Sequence, residues 1–66
     1  MKLYAYAREE GEDRLIDVWE AARIRGRDPE RSRRLRYYST ELDADKRREV
    51  VLVRREGRLF FRYKEQ

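Results

Sequence analysis

The chain has 66 residues, of which 48% are charged and 39% hydrophobic, with a formal net charge of +4 and neither cysteine nor histidine. At this length only one thin core can form, because so short a chain buries only about 60% of the surface that it exposes when unfolded. The missing residue types exclude disulfides, thiol nucleophiles, thiolate or imidazole metal sites, and the commonest general base near neutral pH.

No apolar run approaches the roughly 20 residues that span a bilayer, and no signal-peptide core follows Met1-Lys2, so a soluble chain with no membrane partner is expected and its location is otherwise open. The charge is uneven. Residues 1–22 carry three basic and six acidic groups, residues 23–36 seven arginines against Asp28 and Glu30, and residues 37–66 eight basic against six acidic groups. An anionic partner would be drawn to the middle segment, although an arginine run also serves as a solvated face.

Leu3-Tyr4-Ala5-Tyr6-Ala7 alternates at period two and predicts a first strand with two differently used faces. Glu9, Glu10, Glu12 and Asp13 cluster where a helix N-terminus favours negative charge, and the periodicity predicts a helix from about Glu12 to Arg25. Its stripe would hold Leu15, Val18, Trp19 and Ala22, bordered by Ile16 and Ala21. Arg23, Arg25 and a left-handed cap at Gly26 would close it.

Asp28-Pro29-Glu30 has the chemistry of an N-cap and first turn, yet Arg31 to Arg34 offer nothing to bury. Residues 29–34 therefore read as a turn or one helical turn, with a second short helix as the alternative, leading into a strand over Leu35-Arg36-Tyr37-Tyr38-Ser39-Thr40. After a polar break at Asp43-Ala44-Asp45-Lys46, residues 49–54 predict a strand, Glu56-Gly57 a two-residue turn, and residues 58–63 the returning strand. The expected class is a single α+β domain, one helix packed on a small antiparallel β-sheet, in the order β-α-β-β-β or alternatively β-α-α-β-β.

Val50, Val51, Leu52 and Val53 are apolar at four consecutive positions, so both faces of this strand carry hydrophobic groups. One helix covers one face, expected to hold Ala5, Ala7, Val51, Val53, Leu59 and Phe61. The open face would carry Tyr4, Tyr6, Val50, Leu52 and Phe60, edged by Arg54, Arg62 and, if its strand reaches there, Tyr38, a patch suited to a protein partner. Its partner-binding candidates are Tyr4, Tyr6, Leu52, Arg54, Phe60 and Arg62. A merely tolerated open face, a homodimer through stacked sheets, and strand addition at a sheet edge are the other readings.

The arginine segment offers a nucleic-acid alternative through Arg27, Arg31, Arg33, Arg34 and Arg36, with Arg23, Arg25, Tyr37 and Tyr38 beside them, but no nucleic-acid motif accompanies it. The acidic cluster at residues 9–13 reads as structural rather than catalytic. Asp43 and Asp45 lack the glycine and distal glutamate of an EF-hand loop. No catalytic residue, metal or cofactor is expected.

The element order is faintly similar to that of the RelE/ParE toxin family, whose RNA-cleaving members use basic residues and tyrosine on the sheet. The likeness covers order alone and carries over no residue. Glu56-Gly57, the sharply charged surface and the absence of Cys, His and Asn more closely resemble de novo designed miniproteins. That resemblance implies a protein-binding module or a fold without biological activity. Fifteen arginines against three lysines fit it less well.

Overall fold

The computed structural model describes residues 2–64. Its strands are β1 (Tyr4–Glu9), β2 (Glu12–Asp17), β3 (Arg36–Tyr38), β4 (Glu49–Arg55) and β5 (Arg58–Tyr63), and its helices are α1 (Val18–Arg27) and α2 (Pro29–Arg34), with a 3-10 turn at Ala44–Lys46. The strands form one antiparallel sheet in the order β2-β1-β3-β4-β5. The α+β class and antiparallel sheet are those expected from the sequence. Two elements are added to the β-α-β-β-β order, since residues 12–17 are a strand and residues 29–34 take the helical alternative.

The first addition comes from Glu10 and Gly11, whose φ angles of 53° and 82° turn β1 back on itself. Positive φ at both central residues is the type I′ pattern that matches strand twist. β2 then pairs along its length, Glu12 opposite Glu9 and Asp17 opposite Tyr4. The helix cap is Asp17, whose carboxylate accepts the Glu20 N–H at 2.8 Å. The acidic cluster upstream therefore flanks a hairpin turn and not a helix start. The apolar stripe shifts with it: Val18, Ala21 and Ile24 are buried, while Leu15 and Trp19, expected inside, are 54% and 56% exposed.

α1 runs past Gly26, which is helical rather than a left-handed cap. It ends at Asp28, whose N–H bonds the Ile24 carbonyl at 2.8 Å. The Asp28 carboxylate accepts from Arg31 N–H, and Pro29 fills the first turn of α2, where its missing donor is harmless.

The helix-covered face holds Ala5, Ala7, Ile16, Tyr37, Val50, Leu52 and Phe61, with Leu35 beside them. Ala5 and Ala7 are fully or nearly fully buried, and their small side chains leave room for α1 on the sheet. This corrects the expected phase of β4. The two-residue turn sets Arg55 opposite Arg58, hence Leu52 opposite Phe61, Val53 opposite Phe60 and Val51 opposite Arg62. Val50 and Leu52 point to the core, and Val51 and Val53 to the open face.

The sheet also curls. Lys2 bridges to Phe61, whose N–H donates to the Lys2 carbonyl at 2.8 Å, so the segment before β1 lies along part of the β5 edge.

Candidate interaction surface

The open face divides into two halves. Over β1, β2 and β3 the cross-strand pair Tyr6 and Tyr38 is capped by guanidinium groups, Arg47 at 3.8 Å from the Tyr6 centroid and Arg8 at 4.0 Å from that of Tyr38. Asp13 holds both arginines. It accepts from Arg8 Nε and Nη2 at 2.7 and 3.0 Å and from Arg47 Nη1 at 2.9 Å. These hydrogen bonds, led by those of Arg8, keep the Asp13 carboxyl below the ordinary carboxylate range against the opposing effect of burial.

Arg47 belongs to the β3–β4 connection and also donates to the Glu41 and Leu42 carbonyls. Ser39, 1% exposed, anchors the same connection: its hydroxyl donates to the Glu41 carboxylate and accepts the Arg48 N–H. This half of the face is thus occupied by the chain itself. Cation–π contacts of this kind contribute about 1 kcal/mol each and hold both tyrosine rings against other stacking partners.

The other half, on β4 and β5, carries half-buried Val51, Val53 and Phe60 with exposed Arg55, Arg58 and Arg62. Of the expected protein-binding residues, Tyr4, Phe60 and Arg62 lie on the open face, Tyr4 at 54% exposure. Tyr6 lies there too, beneath Arg47. Leu52 is a core residue, 7% exposed. Arg54 stands opposite Leu59 on the helix side of the sheet, so the six do not form one patch. The register that buries Leu52 against Phe61 turns Arg54 away from Phe60 and Arg62.

The arginine segment is dispersed as well. Arg31 pairs with both Glu9 carboxylate oxygens at 2.9 Å, which holds the Glu9 carboxyl below its usual value. Arg33 pairs with Glu30 at 2.6 Å and Arg36 with Glu49 at 3.3 Å. Arg25 donates to the Leu52 carbonyl at 3.1 Å. Arg23, Arg27 and Arg34 have no ion-pair partner among the described residues. Arg23 and Arg27 flank an open cleft of about 240 Å³ between α1 and α2.

Sequence reasoning missed the residues at the tip of the β4–β5 hairpin. Arg55 and Arg58 are directly opposed, and with Arg54 they have no ion-pair partner among the described residues. The two-residue turn already implied that opposition. No group of three or more acidic residues among those described is placed to hold a metal ion. The chain matches no protein family, no curated protein and no solved structure.

Proposed function

We propose that the chain is a binding module rather than an enzyme, and that its partner is a nucleic acid contacted through the β4–β5 hairpin. The observation that carries this reading is the cross-strand pair Arg55–Arg58, which has no ion-pair partner among the described residues. Like charges directly opposite across two strands oppose pairing, and a polyanion between them reverses the sign of that interaction. Arg23, Arg27 and Arg54 add cations with no ion-pair partner among the described residues. Phosphate contacts from such groups release condensed counterions and supply affinity without sequence preference.

Support for the protein-partner reading is narrower. Leu52 is in the core and Tyr6 is capped, leaving Tyr4, Leu15, Val51, Val53 and Phe60 as its apolar surface. The nucleic-acid reading is independent of origin. The residue choices resemble designed miniproteins, whereas the buried Tyr37 hydroxyl without a partner among the described residues and Leu42 at 93% exposure are features that design rules avoid.

The test is fluorescence anisotropy of a labelled DNA duplex of about 20 base pairs at 50 and 200 mM salt. Four phosphate contacts on a B-form duplex give a roughly 150-fold loss of affinity across that range. Absent or salt-insensitive binding removes the proposal, and a fold without a partner then becomes the simplest reading.

A further inference from the structure

The β4–β5 hairpin is longer than the sheet that supports it. β3 pairs with β4 at Glu49 and Val50, so among the described residues the rest of β4 has β5 as its only strand neighbour. α1 reaches the hairpin at Leu52, where Arg25 bonds the carbonyl. Beyond that level Val53–Phe60, Arg54–Leu59 and Arg55–Arg58 are successive pairs leading to the Glu56-Gly57 turn. Residues 53–60 therefore form a two-stranded ribbon paired only with itself, over about 10 Å at roughly 3.4 Å per residue and with strands about 4.8 Å apart; Leu59 still packs against the core, so the part that projects is the tip from Arg54 to Arg58.

Resting on the nucleic-acid reading above, we propose that this ribbon enters the major groove of a B-form DNA duplex and touches base edges there. A groove about 12 Å wide and about 8.5 Å deep admits a two-stranded ribbon, whereas the major groove of duplex RNA is too narrow for side chains to read. The composition of the tip fits the groove floor better than the backbone. Glu56, which like Glu10 supplies the first residue of its turn, stands there between Arg55 and Arg58. Arginine donates its two-pronged fork to guanine O6 and N7, and glutamate accepts from cytosine N4, so Arg-Glu-Gly-Arg presents both halves of a G·C pair's major-groove pattern. The fork is the feature that lysine lacks.

The experiment measures the full chain against three labelled probes, a G·C-rich DNA duplex, one of its single strands, and an RNA duplex of the same sequence, together with protection of guanine N7 from dimethyl sulfate in the DNA duplex. The expected result is binding to duplex DNA at least about tenfold tighter than to either other probe, with N7 protection. Arg55→Ala with Arg58→Ala removes both the preference and the protection. Arg55→Lys with Arg58→Lys keeps salt-sensitive binding with weaker protection, because lysine reaches the same acceptors without the fork. A melting curve for each variant establishes that the fold is intact. Salt-sensitive binding of similar strength to all three probes, without N7 protection, overturns the groove inference and leaves the proposed function standing. Binding to none of them removes both.

Discussion

The two hairpins of this chain share a turn and differ in everything attached to it. β1–β2 and β4–β5 each reverse at Glu-Gly, with φ of 53° and 82° at Glu10 and Gly11 and 52° and 77° at Glu56 and Gly57. The first is tied into the body of the protein: Glu9 pairs with Arg31 of α2, and Asp13 pairs with Arg8 and with Arg47 from a connection 34 residues away. The second is free at its tip, where Arg54, Arg55 and Arg58 find no carboxylate partner among the described residues. Turn geometry is local and repeats with the dipeptide, whereas the fate of a charged side chain depends on what the rest of the chain brings near it. The braced hairpin serves the fold, and the unbraced one is where a partner is sought.

The sharpest way to break this contrast is Asp13→Ala. It removes the acceptor shared by two arginines, leaves Arg47 without its counter-charge, and is expected to cost roughly 2 kcal/mol by denaturant unfolding. It should also raise amide exchange in residues 39–48. A result near zero would mean that the capped tyrosines hold this connection unaided.

Acid titration probes the same difference. Asp13 and Glu9 have folded values held below their ordinary 3.8 and 4.5. Their contribution is whole above the ordinary values and is lost as pH falls through the lower folded ones. Unfolding followed from pH 6 to pH 2 should show stability flat at first and declining below about 4.5. Asp13→Asn should flatten part of that decline, and an unchanged profile would place the acid sensitivity elsewhere.

Gly11→Ala and Gly57→Ala test what the hairpins share. A Cβ meets nothing within 4 Å at either site, so the expected loss of about 1 kcal/mol comes from positive φ alone and should be similar in both. Tyr37→Phe in β3, between the two hairpins, should gain about 1 kcal/mol, because its buried hydroxyl has no partner among the described residues. The smallest effect is expected for Arg55→Ala with Arg58→Ala, a gain of roughly 0.3 kcal/mol from relieving like charges. A clear loss would instead reveal an intrachain role for the tip.

Much of the fold is legible in the residues. Alternation marks β1, the valine run and Glu-Gly mark β4 and β5, and Asp28-Pro29 marks a helix start. β2 is hidden because its acidic residues also suit a helix N-terminus, although Glu10-Gly11 is the same dipeptide read correctly as a turn at Glu56-Gly57. The phase of β4 is legible too, since a two-residue turn opposes Arg55 with Arg58 and so places Leu52 with Phe61. The open-face site was less accessible: Tyr6 looks available along the chain and is capped by an arginine from another connection.

By itself the sequence determined the α+β class, the antiparallel hairpin at the C-terminal end, the thin apolar core and the surplus of arginine, because these follow from periodicity, turn chemistry and composition, all local or additive. Only the tertiary structure decided which arginines are consumed by carboxylates and which are left over, and that Arg47 covers Tyr6. Those outcomes depend on distances of a few ångströms between residues tens of positions apart, which no local pattern encodes.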